Sequence, residues 1–441
     1  MASFTDLVAG RIQQRRQEFL AGFSPKAHGS LEVLLEAGVQ TLWHPLVLDS
    51  SNAPIKGTPT EPAAAVDGSR AIRALNSGAD WIVAQALLLG PNGLRLTTAD
   101  TLLLRGEIER SAVDRCAALL MRSLELDLAL KFAQSGACHL LLLDGSLYAD
   151  LPHLLYSLAV PGREDLPLLV LQRYLDLFAC CEERGILLLG LAKSARSTIL
   201  GRVILDGSPP RSLSGQDLRH RPPQAMSTNP PMADTLEDAS GTEVDGSSPT
   251  SSEPGGRASA PVGLPMGLPT DAELLHRWAS GAGFCSPVLL GTASFGHRRG
   301  PVTRDPSALA EQFRDGQFSA AERRNILRRL RTAPAIGTFY VRLAPGEDAL
   351  RVDALASAFD SSDVHLLDFP HRVLPHRAAE LLVWRLLSDY GGASVYNAAL
   401  FVVDREVRLN AETMDRIYLS VLRRQLDVHV QYDRSTQRFI R

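Results

Sequence analysis

The sequence predicts a mixed α/β fold in which helices flank one sheet and a long insertion interrupts the chain. Short apolar runs typical of strands alternate with longer helical patterns along the 441 residues. The composition, 45% hydrophobic and 22% charged, is that of a globular chain with a sizeable core. Between residues 207 and 262 Pro, Ser, Gly, Thr and Asp dominate, and such a stretch buries too little apolar surface to offset the entropy of ordering. We therefore expect a disordered linker there, joining residues 1–206 and 263–441 as two parts of one domain.

Hydrophobic periodicity predicts the elements of the first part in order. We expect a helix over residues 5–20, a strand ending at 66, strands over 80–89 and 94–98, a helix over 113–134, a strand over 139–143, a helix over 166–183 and a strand over 185–192. The sequence Gly90-Pro91-Asn92-Gly93 between two apolar runs predicts a hairpin turn.

The second part continues the same alternation after the linker. We expect helices over residues 271–282, 322–331, 377–388 and 412–426, and strands over 336–344, 350–355 and 396–403. A C-terminal strand and helix thus complete the domain. Because strands and helices mix on both sides of the linker, the pattern favours one interrupted sheet over two unrelated domains.

The charge of the chain limits, but does not exclude, binding to nucleic acid. A net charge of −3 argues against a protein coated in positive charge, and nucleic-acid binding needs only a local basic track. One predicted helix carries five arginines, which form either such a track or a solvated face: Arg323, Arg324, Arg328, Arg329 and Arg331. A second basic stretch lies upstream, at residues 297–304.

Cysteine usage and apolar run length indicate the compartment. None of the five cysteines shows CxxC spacing, so neither a zinc site nor a disulfide framework is supported. The polar N-terminus lacks the apolar core of a signal peptide, and no stretch reaches 18 consecutive apolar residues. We therefore expect a cytoplasmic protein without a membrane span.

The tripeptide Asp-Gly-Ser follows two short apolar runs, at Asp67 and at Asp144. An acid at the end of a buried strand is left facing a cavity when Gly follows it, because Gly turns the chain sharply away. Two such acids that converge on one cavity would bind a divalent metal and support phosphodiester chemistry.

A third carboxylate, Glu125, lies on the apolar stripe of the predicted helix 113–134. An unpaired carboxylate on a core-facing stripe costs several kcal/mol or stays protonated, so it needs a cation or hydrogen-bond donors. A buried ion pair with a nearby arginine is one solution. A metal site shared with Asp144 is the other, because the strand ending in that aspartate follows the helix directly.

Two acids from strands and one from a core helix form the set that a two-metal phosphodiester hydrolase requires. The metals stabilise the attacking and leaving oxygens roughly 4 Å apart, and carboxylates bridge them. Oxygen ligands of this kind suit Mg²⁺ or Mn²⁺ better than zinc.

The order strand–acid, hairpin, helix–acid, strand–acid resembles the ribonuclease H-like fold, and more narrowly the chain resembles the NurA nuclease family. The resemblance rests on four places: residues 66–69, Glu125 with residues 142–147, residues 190–194, and residues 340–343 with 351–353. Together these places span most of the chain outside the linker.

The resemblance implies a metal-dependent nuclease with 5′→3′ exonuclease and single-strand endonuclease activity in DNA end processing. It further implies a dimer that works with a HerA-type hexameric ATPase. Carried over to this sequence, it makes Asp67, Glu125 and Asp144 metal ligands, and it makes Lys193 a cation near the scissile phosphate.

The chain departs from the family pattern near its C-terminus, where Asp404 stands in the place of a family histidine. Aspartate can hold a divalent metal as a fourth carboxylate, but it cannot act as a neutral imidazole does. Glu406, on the same face of the expected strand, is the alternative ligand. The departure also leaves open a second function: a catalytically impaired module that binds DNA ends or the ATPase and keeps the nuclease fold.

Overall fold

The computed structural model describes residues 4–23, 29–46, 63–136, 139–193, 197–206, 268–291, 305–368, 372–427 and 431–432. The expected disordered linker at 207–262 lies outside these residues, as does the basic stretch at 297–304. Of the helices in the described ranges, none is long and apolar enough to cross a membrane.

The first part of the chain contains six helices and six strands within the described residues. They are α1 (Phe4–Gln14), α2 (Arg16–Phe23), α3 (Gly29–Leu42), β1 (Trp43–Pro45), β2 (Ala64–Ala74), β3 (Asp80–Leu89), β4 (Arg95–Leu104), α4 (Arg110–Ser135), β5 (Leu140–Asp144), α5 (Leu166–Arg184), β6 (Leu187–Ala192) and α6 (Ile199–Leu205). Helices α4 and α5 end at Gly136 and Gly185, whose φ angles of 69° and 63° are left-handed, a conformation that glycine adopts without strain.

The second part supplies five more strands to the structure. Its elements are α7 (Asp271–Trp278), β7 (Gly283–Cys285), β8 (Val288–Leu290), α8 (Ala320–Arg329), β9 (Ile336–Arg342), β10 (Leu350–Leu355), β11 (Arg372–Val373), α9 (Arg377–Ser388), α10 (Ala398–Val407), a π-helical segment (Thr413–Tyr418) and α11 (Leu419–Leu426). Capping boxes fix two of the helix starts, with Thr270 and Glu273 at α7 and Ser319 and Glu322 at α8.

All the described strands form one mixed sheet. Its order is β1-β7-β9-β10-β6-β5-β2-β3-β4, with β8 paired to β9 and β11 paired to β8. The β2–β5 and β5–β6 pairs are parallel, and the other pairs are antiparallel. An antiparallel meander (β4-β3-β2) continued by two parallel strands (β5, β6), with α4 leading into β5, is the arrangement of a ribonuclease H-like fold. The expected fold class is therefore confirmed.

Strands from the two sides of the linker interleave in this sheet. Strand β10 lies between β9 and β6, with Val352 opposite Leu191. The carboxylate of Asp271, which is fully buried at the start of α7, accepts hydrogen bonds from the Ile199 and Leu200 amides, each at 2.9 Å. The second part therefore caps a helix of the first.

The strand expected over 396–403 is wrong, because this segment begins helix α10. Asn397 Oδ1 accepts a hydrogen bond from the Leu400 amide at 3.0 Å, which is a helix N-cap contact. Leu400, Val403 and Val407 are buried, and their spacing of three and four residues puts them on one helical face. The six consecutive apolar residues 398–403 fit a strand or a buried helix equally well, and the cap decides between them.

Candidate active site

The parallel pairing of β2 and β5 brings Asp67 and Asp144 side by side. Val66 is opposite Leu143 in this register, so the next position on each strand is an aspartate. Asp144 ends β5, and Gly145 turns the chain with a φ of 101°, as the sequence predicts. Asp67 does not end its strand, because β2 continues to Ala74. The expected chain reversal after Asp67 is therefore wrong, although the two carboxylates still meet.

Gly68 makes room for the third carboxylate rather than making a turn. A Cβ atom on residue 68 would lie 2.4 Å from Glu125 Oε1 and 2.7 Å from Met121 Cγ. Helix α4 packs against β2 and β3, and Glu125 is 2% exposed on its sheet-facing side. The absence of a side chain at residue 68 thus lets the Glu125 carboxylate lie against the strand that carries Asp67.

The change Gly68→Ala tests this close approach. We expect it to destabilise the protein by about 1–3 kcal/mol, because the added methyl group overlaps Glu125 and Met121 in a packed interior. Urea unfolding followed by circular dichroism measures the change. Gly10→Ala is the control, since a Cβ there meets nothing within 4 Å and alanine favours the helix. Equal stability of Gly68→Ala and wild type would show that α4 moves away freely.

Arg122, one turn before Glu125, supplies the cation that the buried carboxylate needs. Its Nη1 lies 2.6 Å from Glu125 Oε2, an ion pair without hydrogen-bond geometry, so the buried Oε2 accepts no hydrogen bond from the described residues. The same Nη1 donates to the Asp144 carbonyl at 3.2 Å, and Nε lies 3.5 Å from Asp150. Burial is the main cause that raises the pKa of Glu125, and Arg122 only partly opposes it. Glu125 therefore forms an ion pair with an arginine and also lies close enough to Asp67 and Asp144 to interact with their charges.

The site holds more negative charge than its cations balance. Burial and then the Asp144 carboxylate raise the pKa of Asp67 to about 7, and Asp404 adds to the effect. Lys193, just beyond β6, lies 3.2 Å from Asp144 Oδ2 and lowers the pKa of Asp67 only slightly. A carboxyl group whose neighbours hold it near neutrality is typical of a functional site.

Asp404 reaches the site from α10, and Glu406 does not. Helix α10 packs on β2, and the Asp404 carboxylate, 34% exposed, also lies 3.4 Å from Arg408. Glu406 pairs instead with Arg95 on β4. The expectation that both acids share a strand face is wrong, because residues two apart point in different directions on a helix.

A buried ion pair fixes the loop that follows Asp144. Asp353 on β10 is fully buried, and its Oδ2 accepts from Ser146 Oγ at 2.5 Å and from the Leu147 amide at 3.0 Å. Arg351 donates to Asp353 Oδ1 at 2.8 Å. The loop after β5 is therefore held by a strand from the second part of the chain.

The arginine-rich helix α8 is partly structural. Arg323 is buried and donates to the Phe318 carbonyl at 2.7 Å, while Arg329 lies 2.7 Å from Asp176 on α5. Arg323 therefore has a structural role in the protein interior, and Arg329 links α8 to α5 by an ion pair.

The donor chemistry of the site fits a hard divalent cation. The described residues contain no group of three or more His, Cys, Asp or Glu side chains already arranged to hold a metal ion. The converging carboxylates nevertheless offer only oxygen atoms as metal ligands. One of these atoms, the buried Glu125 Oε2, accepts no hydrogen bond from the part of the chain that the structure describes. Oxygen donors with excess negative charge suit Mg²⁺ or Mn²⁺.

Comparison with known proteins gives one family and one fold. The model of the NurA domain matches residues 61–263. The crystal structure of the NurA nuclease from Sulfolobus solfataricus is similar with a TM-score of 0.51 at 15% identity, over 97% of this chain and 99% of that chain. The crystal structure of NurA with manganese is similar over 93% of this chain and 98% of that chain, at 13% identity and a TM-score of 0.46. The crystal structure of NurA bound to dAMP and manganese is similar over 93% of this chain and 96% of that chain, at 12% identity and a TM-score of 0.46. No curated protein matches. Residues 61–263 thus match the NurA domain, and the chain has the fold of the Sulfolobus solfataricus structure over nearly its whole length.

Proposed function

We propose that the protein is a divalent-metal-dependent nuclease that hydrolyses phosphodiester bonds of DNA. The observation that carries the proposal is the convergence of acids around Asp67, whose pKa is raised to about 7 by burial and by Asp144. The match of residues 61–263 to the NurA domain supports the same reaction class. The similar protein from Sulfolobus solfataricus is a nuclease, and NurA has been crystallised with manganese and with dAMP and manganese.

Four carboxylates are proposed to hold the metal: Asp67, Glu125, Asp144 and Asp404. When bound, Mn²⁺ or Mg²⁺ would supply Lewis-acid stabilisation of charge on the phosphate and activation of water. The site carboxylates alone would repel a phosphate, so the cation is also needed for substrate to enter.

The protein's own residues position and balance this site. Lys193 is 45% exposed and uses one contact to Asp144, which leaves ammonium hydrogens for a non-bridging phosphate oxygen. Arg122 holds Glu125 against Gly68, and Asp353 holds the loop after Asp144. These contacts hold the charged groups in position before the substrate reacts, so the site does not have to reorganise during the reaction.

The finer functional assignments come from the family resemblance. We propose 5′→3′ exonuclease and single-strand endonuclease activity in DNA end resection and repair, in the cytoplasm, as a homodimer that works with a HerA-type hexameric ATPase.

End-labelled linear DNA, incubated with the purified protein and Mn²⁺ or Mg²⁺, tests the proposal. We expect degradation with either metal and none with excess EDTA. Labels placed at the 5′ end in one reaction and at the 3′ end in another distinguish the direction of digestion. Cleavage that persists in excess EDTA would refute the metal-dependent mechanism.

The second candidate function is a DNA-end or ATPase-binding module without catalysis. The observations that favour it are the Asp404–Arg408 contact and the Arg122–Glu125 ion pair, since both engage proposed ligands with internal cations. It predicts no degradation across metals and pH in the same assay, with DNA still bound.

A further inference from the structure

The outer face of helix α8 and of the turn that continues it carries an arginine stripe: Arg324, Arg328 and Arg331. Their spacings of four and three residues place the three side chains on one side of the helix. All three are exposed, whereas Arg323 and Leu327 on the opposite side are buried. The basic residues of this segment are thus divided between anchoring the helix and facing solvent.

Three acids on or beside α8 are engaged in other contacts. Glu322 belongs to the capping box at the start of the helix, and Asp176 pairs with Arg329. Asp305, whose carboxylate interacts with the charges of the arginine stripe, accepts hydrogen bonds from the amide and the hydroxyl of Ser307. These carboxylates are therefore less available to neutralise the stripe.

Helix α8 runs beside α5 in the same direction, and it starts at the edge of the sheet where Asp144 lies. Strands β5 and β6 are parallel, so the helix between them, α5, begins at the edge where β5 ends. Asp165, just before α5, accepts a hydrogen bond from the Phe318 amide, just before α8, at 3.0 Å. Asp176 and Arg329, 2.7 Å apart, lie the same number of residues further along the two helices. Helix α8 therefore leads away from the edge that carries the candidate active site.

A strand of DNA bound at that site needs positive charge from outside it. Within the described residues the acids of the site outnumber its cations, Arg122 and Lys193, and each of these cations already pairs with an acid. Affinity for a polyanion comes mainly from cations that meet its phosphates. At a rise of 1.5 Å per residue, the arginine stripe lies about 9 to 20 Å along the helix axis from Phe318.

We propose that the arginine stripe binds the phosphate backbone of the DNA strand beyond the phosphodiester that is cleaved. A guanidinium group donates two parallel N–H bonds to a phosphate, and such contacts position a strand without reading its bases. This inference rests on the proposed nuclease function and deepens it, because it assigns a DNA contact outside the carboxylate site. The buried Arg323 and the Arg329–Asp176 pair hold the helix that presents the stripe.

Replacing Arg324, Arg328 and Arg331 together by glutamine removes the charge and keeps good helix formers. Fluorescence anisotropy measures binding of a labelled single-stranded oligonucleotide of about 30 nucleotides in Ca²⁺, a length above the site size of common single-strand binders. We expect the dissociation constant to rise about 10-fold at low salt. The slope of log affinity against log salt should become shallower by about 2, because each contact to a single-strand phosphate contributes about 0.7.

A matched control removes the same charge elsewhere. Arg11, Arg15 and Arg16 are exposed where α1 meets α2, and their joint replacement by glutamine should leave the affinity within about twofold of wild type, since charges away from the DNA are screened. Lysine at the three stripe positions should keep the wild-type salt slope, because it keeps the charges. An equal loss in both glutamine variants would overturn the inference. So would unchanged binding in the stripe variant, which would assign the stripe to solvent or to an acidic protein partner.

Kinetics separate this inference from the proposed function. In Mn²⁺ the glutamine stripe variant should raise KM for the same oligonucleotide about 10-fold and leave kcat within about twofold, because the stripe does not touch the reacting phosphate. A wild-type protein that binds but does not cleave would refute the nuclease proposal alone, and the salt slopes would still decide the role of the stripe. Absence of wild-type binding, or a lower kcat with unchanged KM in a stripe variant that circular dichroism shows to be folded, would overturn the inference.

Discussion

Asp144→Asn is expected to lower the rate of DNA cleavage at least roughly a thousandfold, because the bound metal contributes several kcal/mol of transition-state stabilisation. Asparagine keeps the shape of the side chain but loses the charge that holds a cation beside Asp67. The fold should remain, since the Asp144 carboxylate is at the end of β5 and forms its ion pair with the half-exposed Lys193. Single-turnover digestion of end-labelled linear DNA in Mn²⁺ measures the loss, and a thermal melt checks the fold.

Asp114→Asn is the matched control for this change. Asp114 is on α4, the helix that carries Glu125, but its side chain is exposed and forms a surface pair with Arg110. We expect its cleavage rate to stay within about twofold of wild type, as surface pairs contribute little. A folded Asp144→Asn protein with wild-type cleavage would refute the assignment of Asp144 as a metal ligand.

Asp67→Asn is expected to make the metal-free protein more stable at alkaline pH. The pKa of Asp67 is raised from 3.8 to about 7, chiefly by burial and by Asp144. Between these two values the Asp67 carboxyl binds more protons in the folded protein than in the unfolded chain, so its contribution to wild-type stability falls as pH rises from about 4 to about 7 and then levels off. The loss is on the order of a few kcal/mol. Asparagine does not titrate, so the variant avoids this part of the loss.

Urea unfolding in EDTA at several pH values measures the effect. Asp67→Asn should equal wild type within error near pH 4 and exceed it by a few kcal/mol at pH 8, whereas Asp114→Asn should follow wild type throughout. Added Mn²⁺ should stabilise wild type at pH 8 more than Asp67→Asn, because the ion binds only the folded site. Parallel stability curves for Asp67→Asn and wild type would contradict the predicted titration.

Much of the sheet could be predicted from the sequence because its strands are short, apolar and bounded by turn residues. Strands β3 (Asp80–Leu89) and β10 (Leu350–Leu355) begin and end where their patterns do. The sequence does not determine the length of β2: Gly68 allows a turn, but pairing with β3 along Ala65 to Ala74 keeps the chain extended. Long-range pairing outweighs a local preference at that point.

The C-terminal segment shows the opposite failure, since a β-branched apolar run became a helix. Val402 and Val403 favour strands, but the Asn397 cap and the burial of Leu400 and Val407 on one face favour α10. The wrong strand prediction also gave a wrong pair of candidate ligands. In a helix Glu406 points towards Arg95, while Asp404 lies near enough to Asp67 to raise its pKa.

Two residues beside the predicted acids were missed, for different reasons. The spacing of Arg122 and Glu125 is i,i+3 on one helix, so the sequence already contained the signal for an ion pair. Tyr396, whose ring centre lies 4.9 Å from Lys193 Nζ, gave no local signal. It meets Lys193 across a gap of about two hundred residues, and only the folded sheet brings them together.

The interleaved sheet has a consequence for fragments of this chain. Peptides 1–206 and 268–441 would each leave a hydrogen-bonding edge open, β6 on one and β10 on the other, and each would lack residues of the proposed metal site. Neither should fold productively alone. Mixed in equal amounts, they should dock through that shared edge and through Asp271 capping α6, and so rebuild the complete sheet and its carboxylate site from a polypeptide cut at the linker.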